Sequence, residues 1–282
     1  ENIIQLFGLV GWADHITHFI SIGRIGITDL SHMFYNSTFN GIISPNWDTS
    51  LITDLSFMFS GAALFNKPFG YNWDVRNVIR MSFMFSGARS YNQKIGQNWE
   101  TNSLENIHAM FQHAESFNQP LGFWDTSKVT DMSWLLLGAF NFNQKIYFSD
   151  TSEVQTFKGM FAGAIRFNQP FGFCGEKQWD IGSVVDISEM FRDAISFNQP
   201  FGWNWDISNM RDMSYMFNDA INFNQPLNFS TKNWGAINKK GMFRNAKAFD
   251  RKNIPRNIED TYINDMFAEV SDEDYMNHML ND

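Results

Sequence analysis

Apolar positions along the chain recur with a period near 26 residues, far longer than the repeat of any single helix or strand. Met-Phe pairs stand at 33–34, 58–59, 84–85, 110–111, 160–161, 190–191, 216–217, 242–243 and 266–267, and Leu135-Leu136 fills the one gap. The second residues of these ten pairs are separated by 25, 26, 26, 25, 25, 30, 26, 26 and 24 residues. Six residues further on comes an aromatic beside a polar residue: Phe65, Tyr91, Phe117, Phe142, Phe167, Phe197, Phe223 and Phe249. Trp47, Trp73, Trp99, Trp124, Trp179 and Trp205 each stand twelve residues before the second member of a pair. A fixed period of this length predicts a solenoid, in which each repeat is one small unit that buries its apolar side only by stacking on its neighbours.

Each column then has a physical reading. The Met-Phe pairs and the aromatics six later point inward and stack on copies of themselves. Leu30, Leu55, Met81, Ile107, Met132, Phe157, Ile187 and Met213 stand four before the Phe or Leu, flanked by polar residues that include Asp29, Asp54, Arg80, Asn106, Asp131, Asp186 and Asp212. Polar-apolar-polar alternation predicts a short strand with one buried face. Ser31, Ser56, Ser82, Ser133, Ser188 and Ser214 suit the start of a one-turn helix. Gly, Asn, Asp or His two residues after the pair suits its stop, because Gly, Asn and Asp tolerate left-handed backbone. Asn66, Asn92, Asn118, Asn143, Asn168, Asn198 and Asn224 are placed to bond the backbone of neighbouring repeats, and Asp48, Asp74, Asp125, Asp180 and Asp206 to begin turns.

Composition follows from this pattern. Of 282 residues 30 are Phe and 15 are Met, and nine of those Met fill a single column, so packing explains them better than a metal box does. The net charge of -9 argues against a nucleic-acid partner, which needs clustered Lys and Arg. That charge is concentrated: after Arg256 there are eight acids and no Lys or Arg. The acidic end reads as a solvating cap or as a contact for a basic partner. No run approaches the roughly 20 apolar residues of a membrane-spanning helix. The lone Cys174 excludes an internal disulfide, and the wider 30-residue spacing there predicts a bulged corner within Phe173 to Gln178 with Cys174 accessible.

Catalysis needs groups converging on one point, whereas here polar groups are spread in columns. No phosphate-binding loop or nucleophile elbow occurs. His15, His18 and His32 lack a fourth ligand at zinc spacing. The Asp column is interrupted by Arg80, Asn106 and Thr156, which does not suit calcium. No metal, cofactor or catalytic residue is therefore expected.

One column varies from repeat to repeat. Before the pair stand His32, Phe57, Phe83, Ala109, Trp134, Gly159, Glu189, Tyr215, Gly241 and Asp265. That variability predicts a solvent-facing position, where large aromatics are either shielded locally or used as a contact. The expected binding residues are Phe57, Phe83, Trp134 and Tyr215 with the polar neighbours Asp54, Arg80, Asp131 and Asp212. Trp203 is a further aromatic outside the Trp column.

Two stretches, Trp124-Asp125-Thr126-Ser127-Lys128-Val129-Thr130-Asp131-Met132-Ser133 and Phe191-Arg192-Asp193-Ala194-Ile195-Ser196-Phe197-Asn198-Gln199-Pro200, resemble the BspA-like surface-protein repeat. This is a leucine-rich-repeat variant also described as a mycoplasma lipoprotein domain of unknown function. The resemblance runs over about residues 27 to 250. It implies an α/β architecture: a right-handed leucine-rich-repeat-like solenoid of about ten rungs, with short parallel strands and one-turn helices. The expected layout is an N-terminal cap over 1–26, the repeats over 27–268 and an acidic cap or tail over 269–282. Function is implied more loosely. Such repeats are linked to adhesion and surface display, without known catalytic residues. The expectation is a non-enzymatic protein at the cell surface or outside the cell that binds a protein or glycan on a host or neighbouring surface. The alternative is a structural part of a larger assembly, such as the coat of a large DNA virus, whose partners are other subunits.

Overall fold

Backbone hydrogen bonds join each repeat to the next. The computed structural model describes residues 18–19, 26–43, 45, 47–170, 172–174, 177–200, 205–228, 234–256 and 258–269. Most of the expected caps over 1–26 and 269–282 therefore lies outside the described residues. Parallel bridges link Asp29 to Asp54, Asp54 to Arg80, Arg80 to Asn106, Asn106 to Asp131, Asp131 to Thr156, Thr156 to Asp186, Asp186 to Asp212 and Asp212 to Asn238. Each bridge joins equivalent positions one period apart, so the repeats stack in register. The extended segment contributes a single bridging residue per repeat rather than a strand of several.

Where a one-turn helix is expected, the backbone does something else. From Leu55 to Ala62 alternate residues divide the bonding. The N–H groups of Leu55, Phe57, Phe59 and Gly61 donate to Arg80, Ser82, Met84 and Ser86 of the next repeat at 2.7–2.9 Å. Those of Met58, Ser60 and Ala62 donate three residues back, closing overlapping turns. Left-handed backbone at two places makes this possible. One is the residue before the pair (Phe57 at φ 58°, Phe83 at 56°, Trp134 at 58°, Tyr215 at 53°), and the other is two residues after it (Asn36 at 52°, Asp193 at 57°). Only the second was legible from its Gly, Asn and Asp. Left-handed backbone costs an ordinary side chain about 1–2 kcal/mol, so bulky residues at the first place need compensating contacts.

The core consists of ring columns. From Phe39, five residues after its pair, through the rings six residues after theirs to Phe249, one column stacks without a break, with centroids 5.7–6.1 Å apart. The Phe of each pair forms a second column, at 5.4 Å between Phe59 and Phe85, Phe85 and Phe111, and Phe217 and Phe243. Within a repeat the two rings face each other, at 4.2 Å for Phe59 and Phe65 and 3.9 Å for Phe217 and Phe223. This contact explains the six-residue offset. Leu136 carries the second column past its missing ring, fully buried. Phe148 replaces a Trp in the third column, stacked 6.5 Å from Trp124 and 5.6 Å from Trp179.

Polar columns hold the corners. The side-chain oxygen of each Asn accepts from the next repeat, as Asn92 does from the Asn118 N–H at 2.9 Å and from Gln119 Nε2 at 3.0 Å. Asp48, Asp74, Asp125, Asp180 and Asp206 each accept the N–H two residues on. The long spacing between Phe161 and Phe191 folds as a hairpin, β3 (Phe173–Cys174) antiparallel to β4 (Lys177–Gln178). It is closed at its base by the Trp179 N–H on the Gly172 carbonyl. The expectation of an accessible Cys174 thiol falls on a side chain outside the described residues. Earlier in the chain β1 (His18–Phe19) pairs in parallel with β2 (Ile42–Ile43). Helix α1 (Asp260–Met266) ends the ladder: the carbonyls of Asp265 and Met266 accept from the N–H groups of Gly241 and Phe243.

Candidate binding face

The Asp column belongs to the backbone. Asp54, Asp131, Asp186 and Asp212 each accept the N–H of the Ser two residues on, at 2.7–2.8 Å. Asn106 and Asn238 also accept the N–H two residues on, without charge, whereas Arg80 in the same column offers no acceptor. Second oxygens make contacts between repeats: Arg80 Nε donates to Asp54 at 2.7 Å, and Asn238 Nδ2 to Asp212 at 2.8 Å. Burial pushes the Asp131 carboxyl up. The hydrogen bonds from His108 and Ser133 outweigh that and hold it below the usual carboxylate range. Asp186, with no such imidazole, is left above that range, chiefly by burial, with Asp212 adding to the effect.

Variation in the column before the pair is in part a matter of size. His32, Phe57 and Phe83 stack at 4.7 and 4.6 Å, and His108 meets Phe83 edge-on at 4.9 Å. Trp134 lies over Gly159, and Tyr215 over Gly241, so closely that a Cβ on either glycine would meet the ring. These two large rings are thus matched by a glycine in the next repeat. Phe57, Phe83 and Trp134 are half-buried. Tyr215 is 3% exposed, which corrects the expectation that it faces solvent. Glu189 in the same column is fully buried and pairs with Arg192 Nε at 2.8 Å. Asp54, Arg80, Asp131 and Asp212 lie along one bridge column and Phe57 stacks on Phe83, but much of their bonding capacity is spent inside the stack.

Exposed rings occur instead at the corner that follows the Asn column. Tyr71 is 73% and Phe123 75% exposed. Tyr71 follows Gly70 and Phe123 follows Gly122, one residue past the corner, and Gln97 after Gly96 lies in the repeat between them. Gly122 packs on this corner so tightly that a Cβ would collide with the Gly96 carbonyl. Tyr147 in the following repeat is 5.1 Å from Phe123. The Trp column fixes the corner from behind: Trp99 Nε1 donates to the Gly70 carbonyl at 2.9 Å and Trp124 Nε1 to that of Gly96 at 3.1 Å. Between the first two corners lies an open cleft of about 220 Å³ lined by residues 69–71 and 94–99, including Tyr71, Lys94, Gln97 and Asn98. The available sequence signal was an aromatic after the corner Gly that belongs to no packed column. Trp203 after Gly202 has that register too, although it lies outside the described residues.

Among the described residues no three His, Cys, Asp or Glu are placed to hold a metal ion, and no helix is long and apolar enough to cross a membrane. The family model described as Mycoplasma protein of unknown function, DUF285, matches residues 23–122, 95–177, 120–203 and 171–280, which makes this a repeat protein over nearly all of its length. No curated protein and no solved structure matches the chain.

Proposed function

The chain belongs to the DUF285 family, and from that premise we propose a non-enzymatic interaction module that binds a protein or glycan. In this reading the repeats wind as a right-handed, leucine-rich-repeat-like solenoid of the BspA-like kind, displayed on a cell surface. In-register bridges from Asp29 to Asn238 support the stacking of repeats that this reading needs. The observation that carries the function is the exposure of Tyr71 and Phe123, 73% and 75%, at equivalent corners of a rigid stack. Aromatics repeated at equivalent corners and belonging to no packed column suit a contact surface, since aromatics are enriched at binding interfaces. Most polar columns, by contrast, are committed to the backbone.

Sedimentation of the full chain at micromolar concentration tests the reading. A monomer is expected. Filaments or a defined closed oligomer would overturn it in favour of a part in a larger assembly, such as a virion coat.

A further inference from the structure

We infer that the corner running from Tyr71 to Phe123 binds a β-linked oligosaccharide, with sugar rings stacked on the two aromatics and hydroxyls bonded by the amides between them. The inference rests on the interaction-module reading and narrows it to one class of ligand.

The carbonyls of Gly70 and Gly96, next to Tyr71 and Gln97, are closed to an extended peptide. Peptides that add to a repeat edge need free backbone donors and acceptors. Here the Gly70 carbonyl already accepts from Trp99 Nε1 at 2.9 Å and the Trp73 N–H at 3.2 Å. The Gly96 carbonyl accepts from Trp124 Nε1 at 3.1 Å and the Trp99 N–H at 3.3 Å. Side chains line the cleft with groups that both donate and accept. Gln97 and Asn98 are exposed beside the cleft. Their amides offer donors and acceptors together, which matches hydroxyls that both donate and accept. Lys94 is the single ionisable group besides the Tyr71 phenol in the lining.

Size and spacing point the same way. At about 220 Å³ the cleft falls below the ~300–1,000 Å³ typical of drug-sized sites, which suits one sugar ring with the rest of the chain lying along the surface. A pyranose has an apolar face of C–H groups that stacks on an aromatic ring. Tyr71 and Phe123 stand two repeats apart, about 10 Å at the ordinary strand spacing. That is close to the length of one disaccharide unit in an extended β-1,4-linked chain, whose alternate rings present the same face. Gln97, one repeat from each, would meet the intervening linkage. An α-linked chain curls and cannot keep successive faces along a straight column.

Calorimetric titration of the full chain with cellotetraose and chitotetraose, and with α-linked maltotetraose as the control, tests the inference. At least one β-linked tetrasaccharide should bind, and maltotetraose should bind at least tenfold more weakly. Tyr71→Ala and Phe123→Ala should each weaken binding at least tenfold with the melting temperature little changed, because both rings are largely in water. No binding of either β-linked tetrasaccharide, equal binding of maltotetraose, or parental affinity in both variants would overturn it. A chain that sediments as a monomer yet ignores both β-linked probes loses the oligosaccharide assignment and keeps the interaction-module reading.

Discussion

The indole of Trp134 lies over Gly159 of the next repeat so closely that a Cβ on the glycine would collide with the ring. Gly159 has φ 57°, so any side chain there is strained twice, by the ring and by the backbone. Trp134 itself sits at φ 58°, and its stacking on the glycine helps offset that cost. The two positions form one unit of shape shared between repeats.

Gly159→Ala should therefore destabilise by about 2–4 kcal/mol, adding overpacking to a left-handed alanine. Trp134→Ala should cost about 2 kcal/mol, less than a fully buried Trp because the ring is half-buried. The double variant should fall short of the sum by about 1–2 kcal/mol, since the alanine then meets open space. Urea unfolding of the four proteins gives the coupling; strict additivity would mean that the ring and the glycine do not constrain each other.

Tyr91 takes a place that Phe fills in most other repeats, and its hydroxyl is buried with no hydrogen-bond partner. Burial pushes the phenol well above its ordinary range, so it stays neutral. An unmatched buried hydroxyl costs about 1–3 kcal/mol. Tyr91→Phe should raise stability by about 1 kcal/mol, read as a higher urea midpoint with an unchanged slope. A lower midpoint would show that the hydroxyl is satisfied.

Asp131 and Asp186 occupy one column and titrate in opposite directions. Asp131 is lowered in the folded chain, so its contribution to stability is present above the unfolded carboxylate value and is lost as pH falls through the folded one. Asp186 is raised, so its contribution is present below the unfolded value and is lost as pH rises through the folded one. At pH 7 Asp131→Asn should destabilise, whereas Asp186→Asn should be neutral or stabilising. Both keep the acceptor that Asn106 and Asn238 already provide. Equal effects of the two substitutions would mean that the column responds to charge alone.

Lys239 breaks the apolar column at its end. It is 4% exposed, and its ammonium donates to the carbonyls of Trp234 at 3.0 Å and Ile237 at 2.7 Å and lies 4.5 Å from the Tyr262 ring. Burial lowers its pKa from the ordinary 10.5, opposed by Asp265. Between the lowered value and 10.5 the unfolded chain holds the extra proton, so stability rises with pH across that window. Lys239→Met should flatten the rise in urea midpoint measured from neutral to alkaline pH. A rise as steep as the parent's would assign it to other groups.

The packed columns were legible because stacking demands the same residue in every repeat: Phe59, Phe85 and Phe111 announce themselves by recurrence. The Asn and Asp columns were legible for the same reason, their backbone partners recurring with them. Trp134 and Tyr215 were misleading because complementarity between unlike neighbours varies as freely as exposure does, and a single sequence does not separate the two. Gly159 and Gly241, each one period after a large ring, were the signal that could have done so. Left-handed backbone at Phe57 and Phe83 had no signature, since hydrogen bonds between repeats impose it against local preference. Tyr71 and Phe123 were overlooked because they recur in no packed column, which is also why they are exposed.

On the turn side of the stack the amide dipoles do not cancel as they do in an ordinary sheet. At four positions in most repeats, such as Leu55, Phe57, Phe59 and Gly61, the N–H points to the following repeat and the accepting carbonyl points back. Their fields add along the axis, leaving partial positive charge at the C-terminal end, much as the N-terminus of a helix carries it. Helix α1 meets that end with its own last carbonyls, those of Asp265 and Met266, the negative pole of a helix. Glu259, Asp260, Asp265 and Glu269 lie in the same stretch of chain. Those four acids thereby acquire an electrostatic reason that net charge alone does not supply: the ladder is a polar object, and they lie in the stretch that meets its positive pole.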